Sequence, residues 1–265
     1  MQEQSTFNVL DLKGSVRGSV QRPAAFSESI RPEIILRAAV AEQTTKFQPQ
    51  GHFPLAGMQT SAKYYGAMGS YRTGRHMGIA IRPRQKLGGG RQGDVRRIPS
   101  AVKGKRAHPH MVEKTIVERI NRREYQKAIA SAIAATAIKE YVKSAKELPI
   151  VISDDVQALK KTKDVVALIN GLGLSSYIEN EGGRIKKGIR RSAAQKRYKR
   201  AALFVVKDDN GISKAARNIP GFDICRTDQL RVNLLAPGGR PGRLVIWSES
   251  AAKSLDQDIS KLHLG

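Results

Sequence analysis

A basic segment of 65 residues, Lys46–His110, limits most strongly what this chain can fold into. It holds thirteen lysines and arginines against one acid, Asp94, together with eleven of the chain's 24 glycines and five of its prolines. Its apolar residues repeat neither at the period of a helix nor at that of a strand, so it offers no face to bury. Such a composition cannot collapse on itself, although it can coat a polyanion. We therefore predict an extended basic, glycine-rich arm (Lys46–His110) inserted in a globular body of residues 1–45 and 111–265.

The excess positive charge of the chain lies in two places. The net charge is +24, and the arm carries +12 of it. A second stretch, the basic run Arg184–Arg200, holds nine basic residues and no acid, whereas the remaining body is close to neutral. This division predicts a polyanionic partner, and both a nucleic acid and an anionic membrane surface satisfy the charge.

The single cysteine and the lack of a long apolar run indicate the cellular compartment of the protein. Cys225 is the only cysteine, which excludes an internal disulfide and is typical of a reducing compartment. In a predicted strand it is expected to be a small core residue rather than a nucleophile. No apolar run reaches 18 residues, and the N-terminus lacks the layout of a signal peptide. These features predict a cytoplasmic protein that does not span a membrane.

The body pattern predicts an α/β fold. Strands are expected at Phe7–Leu12 (as an edge strand), Ile150–Ile152, Ala202–Val206, Phe222–Cys225 and Arg243–Trp247. Helices are expected at Pro32–Gln43, Met111–Ile120, Asn121 to about Lys146, Ser153 to about Lys161, Asp164–Asn170, Gly211–Asn218 and Ser248–Leu255. The basic run is expected to be a loop. Because strands and helices alternate from Ile150 onward, we predict a doubly wound, mostly parallel sheet with helices on both faces.

The two basic segments are the candidate RNA-binding residues. Arginine forks suit phosphate oxygens, glycines let the backbone approach a ligand, and interleaved aromatic rings can stack on bases. Charge-assisted contacts alone do not offset the entropy of ordering such an arm, so an ordered arm must be enclosed, as by folded RNA. The alternative for the arm is a disordered linker. The alternative for the basic run is a nuclear-localisation-like charge run or a solvated face. The expected RNA-binding residues are Lys46, Lys63, Tyr64, Tyr65, Tyr71, Arg72, Arg75, His76, Arg82, Arg84, Lys86, Arg91, Arg96, Arg97, Lys103, Lys105, Arg106, His108, Arg184, Lys186, Lys187, Arg190, Arg191, Lys196, Arg197, Tyr198, Lys199 and Arg200.

No catalytic residue, metal site or cofactor is predicted. The stretch Gly88–Gly93 matches the spacing of a dinucleotide fingerprint, but neither a strand before it nor a helix after it is expected. Asp154 and Asp155 follow a predicted strand, where they could bind a metal or, more simply, cap a helix. His108 and His110 could ligate a metal, but no cluster of further ligands supports that role.

Several stretches are distinctive as sequences. The most specific is Leu235–Ala251, of sequence LAPGGRPGRLVIWSESA. Shorter ones are Arg217–Gly221, Asn121–Glu124 and Ser131–Thr136 in the body, and Gln59–Ala62, Thr73–Arg75, Ile81–Arg84 and Arg106–Pro109 in the arm. Together they resemble ribosomal protein four of the large subunit, in its archaeal and eukaryotic branch, over essentially the whole chain.

This resemblance implies a role in the ribosome. It implies a doubly wound α/β body on the outside of the large subunit and a loop, here Lys46–His110, threaded into large-subunit rRNA. The loop tip, at about Arg72–Arg97, would line the polypeptide exit tunnel. The implied partners are large-subunit rRNA, neighbouring large-subunit ribosomal proteins and the nascent polypeptide near the tip, with no membrane and no cofactor. The chain ends soon after the C-terminal signature, which resembles archaeal members, while His110 stands where relatives often have a second proline.

The leading hypothesis is therefore a structural, rRNA-binding ribosomal protein without enzymatic activity. An RNA-processing or RNA-modifying enzyme with an α/β core is one alternative, but it needs paired acids or a cofactor loop beside a basic surface. Asp94 is the only acid inside either basic segment, which counts against it. A protein that coats DNA or an anionic membrane is the other alternative, and it predicts equal binding to any polyanion.

Overall fold

A computed structural model describes residues 6–66, 75, 78–142, 148–175, 184–186, 195–197 and 200–263, with the backbone alone at 184–186 and 195–197. The chain divides into two compact units. The large unit comprises Met1–Lys46 and Val117–Gly265, and the small unit comprises Phe47–Ile116.

Regular structure is concentrated in the large unit. In chain order, the strands are β1 (Thr6–Leu10), β2 (Val16–Gln21), β3 (Arg84–Lys86), β4 (Gln92–Val95), β5 (Ile150–Ile152), β6 (Arg184–Lys186), β7 (Gln195–Arg197), β8 (Ala202–Val206), β9 (Asp223–Arg226) and β10 (Leu244–Ser248). The helices are α1 (Pro32–Thr44), α2 (Arg122–Thr136), α3 (Thr162–Gly171), α4 (Ile212–Ala216), α5 (Val232–Leu235) and α6 (Glu249–Lys261).

Six strands of the large unit form one mixed, mostly parallel sheet. Their order is β2-β1-β5-β10-β8-β9, and only β2 runs antiparallel to its neighbour. The prediction that Phe7–Leu12 is an edge strand was wrong, because β2 pairs with the outer side of β1. In β2 only Val20 is buried, so its sequence carries no alternating apolar signal.

Both faces of this sheet are covered. Alternate strand residues, such as Val205 and Trp247, join a core with α1, α2 and α6 on one face. Their sequence neighbours, such as Phe204 and Ile246, join a second core with α3 and α4 on the other face. All five residues of β8 and of β10 are buried, as expected for central parallel strands. The predicted α/β class is confirmed.

Helix α1 begins where its sequence predicts. Pro32 occupies its first turn together with Glu33, and Ile35, Ala38 and Ala39 are fully buried. The predicted helices that became α3, α4 and α6 are also confirmed, with shifted ends. Ser248 caps α6 by accepting a hydrogen bond from the backbone N–H of Ala251.

Three helix predictions were wrong in position or extent. Residues 111–120 form no helix, and the N–H of Glu118 donates instead to Oγ1 of Thr44, 3.1 Å away in α1. Helix α2 ends at Thr136 rather than near residue 146, because Oγ1 of Thr136 and the N–H of Ala137 bond to preceding carbonyls and close a tight last turn. The predicted helix from Ser153 is a short 3-10 turn that ends at residue 158.

The small unit is built around a β-hairpin. Strands β3 and β4 are antiparallel, and Lys63 forms a further isolated bridge to Arg84. The expectation that no strand precedes the glycine fingerprint was wrong, since Gly88–Gly90 forms the turn that follows β3. Among the described residues of this unit, Ala62 is the only buried apolar side chain.

The basic run was predicted as a loop, but part of it is a strand pair. Strands β6 and β7 are antiparallel, with Arg184 opposite Arg197 and Lys186 opposite Gln195. Both strands consist mainly of charged and polar residues, so neither carries an apolar alternation that sequence patterns detect. No helix among the described residues is long and apolar enough to cross a membrane.

Candidate nucleic-acid interface

The small unit exposes most of its large apolar side chains. The residues concerned are Phe47, Phe53, Leu55, Tyr64, Tyr65, Ile79, Ile81, Leu87, Val102, Met111 and Val112. Soluble domains normally bury most side chains of this kind against one another, whereas this unit has almost no interior of its own. Its surface therefore combines apolar and aromatic groups with a high density of cations, a combination typical of surfaces that bind nucleic acid.

A short ladder orders several of the predicted cations. The backbones of Lys63 and Arg84 exchange two N–H···O hydrogen bonds of 3.3 and 3.4 Å, and Arg84 is paired on its other side with Val95. Two residues further along β3, the ammonium of Lys86 lies 3.7 Å from the centroid of the Tyr65 ring. The ladder therefore brings two predicted cations side by side and places a third against an aromatic ring.

Arg96 follows β4, and its guanidinium is neutralised by a carboxylate of the same unit. It pairs with Asp94 at 3.1 Å and donates a 2.9 Å hydrogen bond to the carbonyl of Val102. Its neighbour Arg97 and the residue Lys103 both have positive φ, 71° and 58°, which is uncommon for residues other than glycine. Arg96 thus closes a tight loop in which two cations, Arg97 and Lys103, adopt this uncommon backbone conformation.

The predicted arm residues fall into three groups. Most of the described ones have exposed side chains: Lys46, Lys63, Tyr64, Tyr65, Arg75, Arg82, Lys86, Arg91, Lys103, Lys105, Arg106 and His108. Half-buried ones are Arg84, Arg96 and Arg97. Tyr71, Arg72 and His76 lie outside the described residues.

The basic run is described only in part. Arg184, Lys186, Lys196 and Arg197 lie in β6 and β7, and Arg200 is exposed just before β8. The other predicted residues of the run lie outside the described part of the chain, namely Lys187, Arg190, Arg191, Tyr198 and Lys199.

The large unit carries an open polar cleft of about 960 Å³ beside α1 and α5. Lys46 and Arg200 line it together with Arg231 and Lys261, all four of them exposed. Lys46 is the first residue of the predicted arm and Arg200 is the last residue of the basic run, so one terminal residue of each basic segment lines this cleft. No sequence pattern marks Arg231 and Lys261 as binding residues, because they are isolated cations in stretches of mixed charge.

A buried glutamate builds one wall of the cleft. Glu42 of α1 is only 2% exposed, and its carboxylate accepts hydrogen bonds from the hydroxyl of Tyr125 (2.7 Å) and the backbone N–H groups of Val232 (2.6 Å) and Asn233 (2.9 Å). Burial, reinforced by this carboxylate, raises the pKa of Tyr125 far above its ordinary value. Because Glu42 binds the N-terminus of α5, it fixes the position of Arg231 at the rim.

Arg243 is a buried arginine that binds the backbone of Leu234, a residue that lines the cleft. Its side chain is 1% exposed and pairs with Asp223 at 2.7 Å, while also donating to the carbonyls of Leu234 and Ala202. Burial lowers the pKa of Arg243, although Asp223 acts against this shift. Asp223 lies 3.7 Å from Arg200, so the same carboxylate holds the half-exposed Arg200 at the cleft.

The residues considered for chemistry have structural partners. Asp154 accepts hydrogen bonds from the N–H and the hydroxyl of Ser250, at 2.9 and 2.7 Å, so it caps α6 rather than the helix expected directly after it. Asp155 pairs with Arg17 at 3.0 Å. Burial raises the pKa of the Cys225 thiol to about 12, which makes it a poor nucleophile. Within the described residues, no group of three or more His, Cys, Asp or Glu is placed to hold a metal ion.

Comparisons with known proteins cover nearly the whole chain. The model of the ribosomal protein L4/L1 family matches residues 20–258. The chain is 40% identical to large ribosomal subunit protein uL4 of Archaeoglobus fulgidus over 258 residues, covering 94% of this chain and 97% of the relative. It is 39% identical to uL4 of Methanocaldococcus jannaschii over 259 residues (94% and 97%) and 38% identical to uL4 of Methanoculleus marisnigri over 255 residues (94% and 98%). As the distinctive sequence stretches predicted, the chain belongs to the ribosomal protein L4/L1 family.

Proposed function

We propose that this chain is a structural constituent of the large ribosomal subunit, in the cytoplasm, that binds and stabilises large-subunit rRNA and catalyses no reaction. The observation that carries the proposal is the small unit, which holds many cations and exposed apolar side chains but almost no core. A protein segment of this kind gains its packing from a partner. Membership of a family whose relatives are named large-subunit proteins supports rRNA as that partner.

The arm Lys46–His110 is the segment that rRNA encloses, while residues 1–45 and 111–265 form the doubly wound body that carries it. Enclosure suits the exposed rings of Tyr64 and Tyr65, since aromatic side chains stack on unpaired bases. It also suits the exposed cations of the arm, because a folded RNA presents phosphates on several sides. The other arm residues predicted to bind RNA are proposed to contact it in the same way.

The tip of the arm, at about Arg72–Arg97, reaches the polypeptide exit tunnel and meets the nascent chain. The support for this placement is the family resemblance, together with the hairpin β3–β4, which lies entirely in this range. Neighbouring large-subunit proteins are the remaining proposed partners.

The large unit docks on rRNA through the basic run Arg184–Arg200 and through the adjoining cleft. Four exposed cations line the cleft, and its acids have partners of their own: Glu42 is buried among three donors, and Asp228 pairs with Arg226 at 3.0 Å. The lining cations outnumber the two lining acids, so the cleft offers net positive charge to a phosphate backbone.

The test is association of the purified chain with large ribosomal subunits in high salt. We expect the chain to sediment with the subunits, and to prefer folded large-subunit rRNA over duplex DNA and anionic vesicles as salt rises, because enclosure adds contacts that counterion release does not remove. Equal binding to all three polyanions contradicts the proposal. So does turnover in nuclease or methyl-transfer assays on rRNA that is lost on Asp154→Ala.

A further inference from the structure

We propose that Lys63, Arg84 and Lys86 form one phosphate-binding face of the small unit, which takes the phosphodiester backbone of RNA, while Arg96 is a positioning residue. The proposal rests on the proposed function, because RNA supplies the phosphates. It divides the cations of the arm into those that meet RNA and those that hold the protein backbone.

The first observation is a pair of like charges placed directly opposite each other. Lys63 and Arg84 form an antiparallel bridge and exchange both backbone hydrogen bonds. Side chains of such a pair point to the same face, with Cβ atoms about 4.5–5.5 Å apart, and like charges there destabilise the pairing. Neither residue pairs with a carboxylate within the described part of the chain. The arrangement is therefore stabilised when an anion lies between the two side chains.

The second observation is the alternation along β3, which adds Lys86 to the same face. The register of the hairpin shifts here, but the extra residue lies in β4, where three steps from Gln92 to Val95 stand opposite two steps from Arg84 to Lys86. Arg84 and Lys86 are therefore two residues apart in an unbulged strand, and their side chains point the same way. Gln85, the residue between them, points to the other face and packs against Gly93 of β4. A Cβ atom added at Gly93 would lie 3.3 Å from the Cβ of Gln85. The cationic face thus presents three positive charges from two neighbouring segments.

The third observation is an aromatic ring attached to this face. The ammonium of Lys86 lies 3.7 Å from the centroid of the Tyr65 ring, and Tyr65 is 44% exposed. A ring held by a cation on one side can stack on a base with its exposed surface. A phosphate site beside a stacking ring suits a single-stranded or splayed nucleotide, whose base is free to stack next to its phosphate.

The guanidinium groups of Arg84 and Arg96 differ in the N–H donors that they can offer to a ligand. The described hydrogen bond of the Arg84 guanidinium is a long one, 3.4 Å to the carbonyl of Ala80. Arg96 is instead committed inside the protein, through its ion pair with Asp94 and its 2.9 Å hydrogen bond to Val102, and its side chain is 19% exposed. Arg84 therefore has donors to offer a phosphate, while Arg96 holds the loop that follows β4.

The experiment uses the full chain and a transcript of large-subunit rRNA, with affinity measured as a function of salt. Each of Lys63→Gln, Arg84→Gln and Lys86→Gln is expected to weaken binding on the order of tenfold. The triple variant is expected to reduce the slope of log affinity against log salt by about 2–3. The matched control replaces three exposed lysines of the large unit, with the same loss of charge and little expected change: Lys13→Gln, Lys160→Gln and Lys163→Gln.

A second measurement separates the contact residues from the positioning residue. Limited proteolysis of the RNA-free chain is expected to show faster cleavage between Arg97 and Lys105 in Arg96→Gln, since the loop loses its internal ties. The triple variant is expected to keep the wild-type cleavage pattern between Arg97 and Lys105, because the two contacts that it removes, Lys86 with the Tyr65 ring and Arg84 with the carbonyl of Ala80, lie outside that loop. Faster cleavage in the triple variant and none in Arg96→Gln contradicts the assignment of roles.

The outcomes distinguish this proposal from the function on which it rests. If the wild-type chain prefers folded rRNA but the triple variant binds as the control triple does, the phosphate-binding face is wrong and the function stands. If the wild-type chain binds folded rRNA no better than duplex DNA or anionic vesicles, the proposed function itself fails.

Discussion

Replacing the buried glutamate of the cleft tests how the large unit is held together. Glu42 joins three elements, because it lies in α1 and accepts hydrogen bonds from α2 through Tyr125 and from α5 through Val232 and Asn233. At 2% exposure the carboxylate has little contact with water, so these three hydrogen bonds satisfy it in place of solvent. We expect both Glu42→Gln and Glu42→Ala to lower the free energy of unfolding of the large unit.

The magnitude follows from the number of donors left without an acceptor. In Glu42→Gln, one oxygen can still accept from Tyr125 and Val232, but the amide NH₂ faces the N–H of Asn233. One buried donor is then unsatisfied and the charge assistance is lost, which costs about 2–3 kcal/mol. In Glu42→Ala, all three donors lose their acceptor and a cavity remains, so we expect a cost of about 4–5 kcal/mol.

Urea unfolding followed by far-UV circular dichroism measures these costs as a change of midpoint. Tyr125→Phe removes one donor and leaves the backbone bonds of Glu42, so we expect about 1–2 kcal/mol. The matched control is Glu33→Gln, an exposed glutamate in the first turn of the same helix, with an expected cost below about 1 kcal/mol. The reasoning is refuted if Glu42→Gln unfolds at the wild-type urea concentration, or if Glu33→Gln is as destabilising as Glu42→Gln.

Two further predictions concern the thiol and the cleft. Burial raises the pKa of Cys225 from 9.0 to about 12, so its stabilising contribution is fully present below pH 9 and is lost as pH rises toward 12. Cys225→Ala should show a shallower alkaline fall in stability, and a wild-type thiol that reacts with a disulfide reagent at pH 8 as fast in the native state as in urea contradicts its burial. Combined Arg231→Gln and Lys261→Gln should weaken rRNA binding on the order of tenfold or more, whereas Lys253→Gln, on the same helix as Lys261 but outside the cleft, should leave it unchanged. Equal effects of these changes would remove the cleft from the interface.

Local sequence patterns predicted a strand or helix correctly where the segment itself carries the apolar run or the start signal of that element. The runs at β5, β8 and β10 are apolar throughout, and this is what a strand buried on both faces requires. Helix α1 begins at Pro32 because a proline costs no hydrogen bond in the first turn. The family was also readable from sequence, since Leu235–Ala251 is distinctive without any structure.

Strands without an apolar alternation were invisible to the same reasoning. Strand β2 buries one residue, and β3 and β4 bury none, so their pairing depends on backbone hydrogen bonds that any sequence can make. The pairing of Lys63 with Arg84 is a further case, because two cations side by side are not a favourable local pair. Only the tertiary structure assigns them neighbouring positions.

The sequence by itself determined the α/β class, the family and the separation of a nearly neutral body from two basic segments, because composition and short-range periodicity carry that information. The tertiary structure alone decided which polar groups meet. Asp154 caps a helix that begins 95 residues later in the chain, and Glu42 binds the N-terminus of α5, 190 residues away. Side chains that far apart in sequence leave no periodic signal, since their partnership depends on how the helices pack on the sheet rather than on the residues beside them.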